Sequence, residues 1–321
     1  MLPTKIPPPT DLSSRPAAHD EIHAALAIIL GTGHRPATRS QVADFLVFAG
    51  QRNINVQETW ISLAGTQMVW AVLPVVSPGR TLLLFSPPDC NARYLEAASN
   101  LVSQMCKHFS RAGVQLAQVL IDPNQTAGRA FFASQQFVEM AELIYLNGHA
   151  PRWAKSPQRA EELTWQAYSD ANHPLFARAI LESYEDSLDC PALSGLRDIE
   201  DVIEGHKGTG EFNPALWQVL CEDQQPIGVL LLSKIPRTDS LELVYLGLAP
   251  HARHRGLGHL LMLEAMHQIN LSGQRRLTLA VDSRNEPALK LYYSHGLQRL
   301  TAKVAMIRDL RPSEKFEIRL G

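Results

Sequence analysis

The sequence contains few cysteines and no excess of either charge. Its 321 residues include Cys90, Cys106, Cys190 and Cys221, and none of the four has Cys-x-x-Cys spacing. This pattern favours reduced thiols in a cytoplasmic protein over a metal site or a disulfide framework. Thirty basic and thirty-two acidic residues give a net charge of −2. The overall charge therefore gives no indication of a nucleic acid or membrane partner, and any basic site must be local.

The N-terminal segment also lacks a hydrophobic run. Its sequence, MLPTKIPPPTDLSSRP, has several prolines and no apolar stretch, so we expect neither a signal peptide nor a transmembrane anchor. We predict a flexible, Pro-rich arm over residues 1–20. The length of the chain suggests two domains of ordinary size, and a hydrophobic content of 45% is sufficient for two cores.

The most informative stretch runs from Leu241 to Leu263, LELVYLGLAPHARHRGLGHLLML. An apolar, strand-like run stops at Pro250, and apolar residues at helical spacing resume after a basic turn that contains glycines. The spacing of three and four residues predicts one buried helix face. We therefore predict a strand, a turn and a helix.

The turn has the composition of an anion-binding site. It contains Arg253, Arg255, Gly256 and Gly258. The first turn of a helix has unpaired N–H groups and a partial positive charge, and glycine lets a phosphate approach the backbone closely. The segment fits neither the Walker pattern nor the dinucleotide pattern. We expect a phosphorylated small molecule as the ligand, with a pyrophosphate group.

A second pattern follows further along the chain. RRLTLAVDSRN (Arg275–Asn285) predicts an apolar strand, and EPALKLYYSHGL (Glu286–Leu297) predicts a short helix that ends at a glycine. The two patterns together resemble the GNAT superfamily of acyl-CoA-dependent N-acyltransferases. The first matches its phosphate turn, Arg-x-x-Gly-x-Gly, from Arg253 to Gly258.

The second pattern matches another motif of the same family, Asn-x-x-Ala-x-x-x-Tyr-x-x-x-Gly. Asn285, Ala288, Tyr292 and Gly296 occupy its four positions, and Leu297 replaces the usual Phe after the glycine. Leucine has a similar apolar volume, so we expect this departure to have little effect.

The predicted elements occur twice along the chain. Two helices, three strands, a helix, a strand, a helix and a strand are followed by a linker at Asn147–Pro157, after which the order begins again. At an offset of about 160 residues, Phe131 of the first copy corresponds to Tyr292, and the first copy lacks the Arg-x-x-Gly-x-Gly turn. The resemblance therefore implies an α/β (α+β) fold of two tandem GNAT-like domains, each with a mixed, centrally splayed sheet flanked by helices. We predict a degenerate GNAT-like domain at residues 21–150 and an acetyl-CoA-binding GNAT domain at residues 160–321.

The resemblance also implies acetyl-CoA, or another acyl-CoA, as the cofactor. In the family, backbone groups at the end of the motif strand bind the pantetheine arm and polarise the thioester carbonyl, and the following turn binds the phosphates. The cofactor-binding residues that the resemblance implies are Leu246, Gly247, Leu248, Arg253, His254, Arg255, Gly256, Leu257, Gly258, His259, Asn285, Ala288 and Tyr292. His251, His254 and His259 lie close in sequence but lack a ligand set with carboxylates or cysteines, so no metal is expected.

Acyl transfer to an amine requires a base and an acid. Family members often place a Glu on the strand before the phosphate turn, and Glu242 is the only carboxylate on that strand here. The alternative for Glu242 is a solvated residue at the start of the strand. Tyr292 has the position whose hydroxyl lies near the thioester sulfur in many family members, and the alternative for it is an aromatic packing residue.

The acceptor is expected to bind the region before the central strands. Between Ser183 and Lys207, Asp and Glu outnumber Arg and Lys, which suits a cationic amine but is also found on solvated helices. Tyr184, Glu185 and Asp189 are the candidate substrate residues. The leading hypothesis is an N-acetyltransferase acting on a primary amine, either a small molecule or a peptide. The alternatives are an acyl-CoA-binding regulatory or scaffolding protein without turnover, and an acetyltransferase of a protein N-terminus or lysine.

Overall fold

The computed structural model describes residues 11–32, 35–88, 90–151, 162–193 and 195–311. Within these residues the chain forms helices and strands in a twice-repeated order. The helices are α1 (Ile22–Ile29), α2 (Arg39–Gln51), α3 (Leu95–Arg111), α4 (Thr126–Ser134), α5 (His173–Tyr184), α6 (Ile199–Lys207), α7 (Leu257–Leu271) and α8 (Glu286–Ser294). The strands are β1 (Leu12–Pro16), β2 (Trp60–Ala64), β3 (Gln67–Ser77), β4 (Thr81–Phe85), β5 (Leu116–Ile121), β6 (Val138–His149), β7 (Leu163–Ala167), β8 (Trp217–Glu222), β9 (Gln225–Lys234), β10 (Ser240–Leu248), β11 (Arg276–Asp282) and β12 (Gln298–Asp309).

These elements form two compact units. In the first unit, the strands have the order β1-β2-β3-β4-β5, and the end of β12 pairs antiparallel with β5. The pair β4–β5 is parallel, and the other strand pairs are antiparallel. Side chains of β3 alternate between two cores, with Trp70 and Val72 in the cluster that includes α3, and Ala71 and Leu73 in the cluster that includes α1. Helices therefore cover both faces of this sheet.

The second unit repeats this arrangement with the strand order β6-β11-β10-β9-β8-β7. The pair β10–β11 is parallel, and the remaining pairs are antiparallel. On β9, Leu230 and Leu232 belong to the core with α7, whereas Val229 and Leu231 belong to the core with α5 and α6. A mixed sheet flanked by helices is the predicted fold class, which is confirmed.

The last strand of each half of the chain lies in the sheet of the other half. Leu143–His149 of β6 pairs with β11 in the second unit, and Val304–Asp309 of β12 pairs with β5 in the first unit. The units accordingly divide the described chain between residues 140 and 141 and between residues 303 and 304. The division proposed from the sequence, 21–150 and 160–321, differs from this one. Both strands have twelve residues and follow a short helix, so local sequence does not determine which sheet each one joins.

Two further segments differ from expectation. Part of the predicted arm is β1, which pairs antiparallel with β2 from Leu12–Ala64 to Pro16–Trp60; residues 1–10 lie outside the described residues. In the predicted linker, residues 147–149 are the end of β6, and residues 152–157 lie outside the described residues. The strand β1 was missed because LSSRP has little apolar alternation.

Candidate active site

The central feature of the second unit is the separation of its two parallel strands. Parallel pairing of β10 with β11 runs from Ser240–Arg276 to Glu242–Thr278. Immediately afterwards, the register of β10 against β9 shifts between Leu243 and Tyr245, which indicates a β-bulge. A bulge bends its strand and increases the local twist. From Leu243 onward, β10 follows β9 to Leu248 and diverges from β11.

A cleft of about 570 Å³ lies where the strands diverge. Its walls are β10 from Leu243 to Leu248, β11 from Leu279 to Val281, the start of α7, the start of α8, and residues 186–189 after α5. The predicted site residues that line it are Asp189, Leu246, Gly247, Leu248, Arg253, His254, Gly256, Gly258, His259, Asn285, Ala288 and Tyr292. Glu242, Tyr184, Glu185, Arg255 and Leu257 do not line it.

Alternate backbone amides of β10 point into the cleft. Ala249 N donates to Ile227 O next to β9, and successive residues of a strand direct their N–H groups to opposite sides. The N–H groups of Leu246 and Leu248 therefore face the side from which β11 has departed. They can donate to an extended ligand laid along this edge.

The turn before α7 exposes its backbone. Gly256, the N-cap, has φ of 78° and no side-chain cap hydrogen bond, and His254 has φ of 60°. A Cβ on Gly256 would meet no other atom within 4 Å, whereas one on Gly258 would lie 3.2 Å from Leu291 Cδ2 of α8. The first turn of α7 therefore presents uncapped N–H groups at the cleft, as an anion site requires.

The side chain of Arg253 fixes the cleft wall. Its guanidinium donates from Nε to Leu248 O at 3.1 Å, from Nη1 to Asp186 O at 3.2 Å, and from Nη2 to Ser183 O and Glu185 O at 3.1 and 2.6 Å. Leu248 O is at the end of β10, and the other three carbonyls lie at or just after the C-terminal end of α5, where a cation is favourable. The phosphate contact suggested for Arg253 remains a prediction, because the N–H groups of its guanidinium donate to these backbone carbonyls.

Arg255 and Leu257 point elsewhere. Arg255 forms a two-point ion pair with Glu222 of β8, at 2.6 and 3.0 Å, and its side chain is exposed. Leu257 is buried in the core beneath α7. The spacing of the motif located the turn, but it did not distinguish its inward from its outward side chains.

His259, which lines the cleft, meets a second histidine. His259 Nδ1 lies 2.6 Å from His295 Nε2, so one ring donates and the other accepts. Burial lowers the pKa of His295, and the neighbouring His259 lowers it further. Within the described residues, no group of three or more His, Cys, Asp or Glu side chains could hold a metal ion.

The second motif places Tyr292 in the wall of the cleft. Asn285 caps α8, its Oδ1 accepting from Ala288 N at 3.2 Å, which aligns the helix. Tyr292 lies on the inward face of α8 and is 7% exposed. Burial raises the pKa of its phenol above the ordinary value, and the charge of Asp189 adds to this rise. Tyr292 therefore remains a neutral proton donor across the physiological pH range.

Tyr245 and Gly247 form the contact between the bulged strand β10 and α5. Ser183 Oγ donates to Ile180 O at 2.7 Å, so the Tyr245 hydroxyl, 2.8 Å from Ser183 Oγ, donates to it. A Cβ on Gly247 would lie 2.7 Å from Ser183 Cβ, so the close approach of α5 requires glycine here. Sequence reasoning missed Tyr245, although it is the one aromatic residue of the motif strand.

The candidate substrate residues have three different environments. Tyr184 packs edge-on against Tyr245, with ring centroids 5.4 Å apart, and burial raises its pKa to about 12. Glu185 is exposed and contributes a backbone carbonyl to Arg253. Asp189 lines the cleft, and its Oδ1 accepts from Asp282 N at 3.0 Å.

Glu242 occupies the apex of the divergence. It belongs to the last parallel rung, one residue before the cleft wall begins. Rung partners share a face, so Glu242 lies on the same face as Thr278 and on the opposite face from the buried Leu243. On β6, the pKa of Tyr145 is raised by burial and then by the charge of Glu242. Its role as a base remains a prediction.

Other cleft residues were missed by the sequence reasoning. They include the β11 positions Leu279, Ala280 and Val281, and Leu291 of α8. Residues 186–188 also line the cleft, and they belong to the Ser183–Lys207 region expected to bind the acceptor. The β11 positions could have been found from the expected splay, since a strand beside the motif strand must form the opposite wall. All four cysteines lie in the described residues, and none of them forms a disulfide. No helix of the described residues has the length and apolar character needed to cross a membrane.

Comparison with known proteins agrees with this geometry. Residues 177–297 match the acetyltransferase (GNAT) family, and no functionally curated protein matches the sequence significantly. A GCN5-related N-acetyltransferase from Sphaerobacter thermophilus superimposes with a TM-score of 0.61 at 16% identity, covering 96% of this chain and 99% of that one. A glucosamine N-acetyltransferase region of a fungal multi-domain β-N-acetylglucosaminidase superimposes with a TM-score of 0.58 at 15% identity, covering 92% of this chain and 38% of that one.

The two-domain arrangement also has a counterpart. A tandem GNAT protein from the clavulanic acid biosynthesis pathway superimposes with a TM-score of 0.52 at 16% identity, covering 95% of this chain and 100% of that one. At these identities the likeness shows the fold. Residues 177–297, in the second unit, therefore match the acetyltransferase (GNAT) family, and over most of its length the chain has the fold of a tandem GNAT protein.

Proposed function

We propose that the chain is an N-acetyltransferase that moves an acetyl group from acetyl-CoA to a primary amine in the cleft of the second unit. The divergence of β10 from β11, directly beside the uncapped start of α7, carries this proposal. It provides an open strand edge for an extended arm and an anion site at the end of that edge.

The residues present fit acetyl-CoA. The N–H groups of Leu246 and Leu248 suit an extended amide-containing arm, and the glycine turn leaves space for a pyrophosphate close to the backbone. When bound, acetyl-CoA supplies an acetyl group activated as a thioester. The backbone N–H groups of β10 would then stabilise negative charge on the acetyl oxygen.

Tyr292 is the proposed acid. Its raised pKa keeps the phenol protonated, so it can donate to a departing thiolate. Tyr245, the other tyrosine of the cleft, already donates its proton to Ser183. Glu242 is the base that the family resemblance suggests, at the apex beside the cleft.

The decisive experiment combines binding and turnover. We expect calorimetry to show saturable acetyl-CoA binding, and release of free CoA thiol when spermidine, glucosamine, tyramine or a lysine peptide is added. Binding without CoA release from any of them would favour the alternative, a non-catalytic acyl-CoA-binding regulatory or scaffolding protein. The panel also separates a small-molecule acceptor from a peptide acceptor.

A glycine variant tests where acetyl-CoA binds. Gly258→Trp puts a large side chain between α7 and α8 at the cleft, next to Leu291, so we expect acetyl-CoA binding to be abolished. Gly50→Trp is the matched control, since Gly50 is exposed on α2 and has no atom within 4 Å of its Cβ position. Undiminished affinity in Gly258→Trp would contradict the proposed phosphate site.

The remaining features are proposals of the same kind. The first unit lacks the glycine turn and the Tyr292 hydroxyl, so we assign it no acetyl-CoA site. The four cysteines, none of which forms a disulfide, fit a reducing compartment such as the cytoplasm.

A further inference from the structure

Two kinds of charged group line the cleft. The turn before α7 contributes Arg253, His254 and His259 beside the helix N-terminus, and the loop after α5 contributes two carboxylates, Asp186 and Asp189. Asp186 is exposed, whereas Asp189 is half-buried. The helix N-terminus suits phosphates. The carboxylates suit a cation, and Asp189 is the less exposed of the two.

Hydrogen bonds hold Asp189 in one orientation. Its Oδ1 accepts from Asp282 N at 3.0 Å, and its own N–H donates to Ser187 Oγ at 3.1 Å. The fully buried Asp282 accepts from Cys190 N at 3.2 Å and forms an ion pair with Arg284 at 2.8 Å. Asp282 is therefore paired with Arg284, whereas within the described residues no cation forms an ion pair with Asp189.

Asp189 also interacts electrostatically with three tyrosines. Its charge contributes to the raised pKa values of Tyr184, Tyr245 and Tyr292. Burial raises the pKa of Asp189 itself; the Asp282 amide opposes this, and the Asp282 charge adds to it. The titratable and charged groups around Asp189 are Tyr184, Asp186, Cys190, Tyr245, Asp282, Arg284 and Tyr292.

We infer that Asp189 binds the ammonium group of the acceptor in this cleft and removes one proton from it. The inference rests on the proposed acetyltransferase function. It assigns the role of base to Asp189, which lines the cleft, instead of Glu242, which does not line it. The ammonium loses one proton to Asp189 and becomes a nucleophilic amine. The amine nitrogen forms the new C–N bond as the thioester C–S bond breaks, and the nitrogen then loses its second proton. Tyr292 donates one proton to the sulfur and is then reprotonated. The reaction yields an amide and a thiol and releases one proton in total.

The test is Asp189→Asn, compared with Asp170→Asn as an exposed control in the same unit. Asparagine keeps the Oδ1 that accepts from Asp282 N. We expect kcat/KM with the amine panel to fall about a hundredfold or more, with acetyl-CoA affinity within about twofold of the wild type. The activity of the wild type should fall at acid pH as Asp189 is protonated. Asp189→Asn should lack this acid limb of the pH profile, and its activity should rise with pH as free amine becomes available.

Stability gives a readout that does not require bound acetyl-CoA. A carboxyl with a raised pKa in the folded state binds protons more tightly there than in the unfolded chain, so its charged form costs stability above the folded pKa. Removing the charge should leave Tm at pH 7 unchanged or higher, whereas a merely structural role predicts a lower Tm. If Asp189→Asn does not fold, Asp189→Ser, which keeps a hydroxyl near the Asp282 amide, is judged by the same criteria.

The outcomes separate the two proposals. Suppose that the wild type turns over amines, and that Asp189→Asn either has a kcat/KM within about threefold of the wild type or keeps the fall in activity at acid pH. Either result overturns the role of Asp189 and leaves the acetyltransferase proposal intact. A lower Tm with lost acetyl-CoA binding also overturns it, since Asp189 would then belong to the framework. A wild type that releases no CoA with any amine overturns both.

Discussion

The two units share an order of elements but differ where their parallel strands run together. In the first unit, β4 and β5 pair over four rungs, from Thr81–Leu116 to Leu84–Val119, and β4 ends at the next residue. In the second unit, pairing stops after three rungs at Glu242–Thr278, although β10 continues to Leu248. Counted from the first rung, the Leu84–Val119 pair corresponds to Leu243 and Leu279. These two leucines line opposite walls of the cleft instead of pairing.

The closed arrangement of the first unit has local causes. No register shift occurs between β3 and β4, so β4 does not turn away from β5. Gly128 of α4 packs against the Pro88 carbonyl, with no room for a Cβ, and Phe131 packs edge-on against Trp70 with centroids 5.2 Å apart. By the same rung count, Leu83 takes the place of Glu242. The comparison shows that this fold opens a cleft through a bulge in one strand and not through the order of its elements.

The largest expected effect concerns the exchanged strands. A fragment that starts near residue 160 retains every predicted motif but lacks β6, which pairs with β11 over seven register positions and adds Ile144 and Leu146 to the core. We expect this fragment not to fold cooperatively, because β11 loses its antiparallel neighbour and its core contacts. Circular dichroism during thermal unfolding tests this, and a fragment starting at residue 138 is the comparison. A cooperative transition in the shorter fragment, equal to that of the longer one, would contradict the role assigned to β6.

The second prediction removes the hydroxyl that distinguishes Tyr292 from Phe131. In Tyr292→Phe the ring and its packing remain, so we expect kcat to fall about a hundredfold to ten-thousandfold while acetyl-CoA affinity stays nearly constant. Tyr293→Phe, the same change at an adjacent exposed residue, is the control. Steady-state kinetics and calorimetry provide the two measurements. Loss of acetyl-CoA binding in Tyr292→Phe would indicate a structural aromatic residue, and an unchanged kcat would exclude it as the acid.

The third prediction concerns how the bulged strand meets α5. In Gly247→Ala the new methyl would lie 2.7 Å from Ser183 Cβ and 2.8 Å from the Tyr245 ring, so α5 must move away from β10. Overpacking of this kind costs about 1–3 kcal/mol, and we expect a lower urea midpoint with an unchanged m-value. The control is Gly50→Ala, where a Cβ meets no atom within 4 Å and alanine favours the helix. Equal stability of Gly247→Ala and the wild type would show that α5 shifts without cost.

Much of this architecture could be predicted from the sequence, because the evidence for it is local. The helices and strands from α1 to β12 follow apolar periodicity and glycine or proline breaks, and the turn before α7 follows from its glycines. The exchange of β6 and β12 could not be predicted. Two apolar strands of equal length compete for two similar sheet edges, and long-range packing decides between them.

The site was predictable to a similar extent. Motif spacing located Tyr292, Gly256 and the end of β10, all of which line the cleft. Spacing does not report the direction of a side chain, so Arg255, which pairs with Glu222, was grouped with Arg253. The bulge at Leu243 and Tyr245 was also invisible, because an extra residue in an apolar strand leaves the composition unchanged. Glu242 lies on the last paired rung before that bulge and does not line the cleft.

The last prediction compares the two candidate bases and has the smallest expected effect. Glu242 lies on the last paired rung and does not line the cleft, whereas Asp189 does. If Asp189 takes the proton of the amine, Glu242→Gln should change kcat/KM by less than about tenfold at neutral pH and keep the acid limb of the pH profile, since a positioned base contributes about a hundredfold or more. The substitution also removes a negative charge near Tyr145, so the pKa of that phenol should fall towards its ordinary value. Kinetics across the pH range and spectrophotometric titration of the tyrosines measure the two effects. A hundredfold loss in Glu242→Gln, partly rescued at high pH where free amine is abundant, would return the base to Glu242 and require the amine to approach from the apex of the divergence.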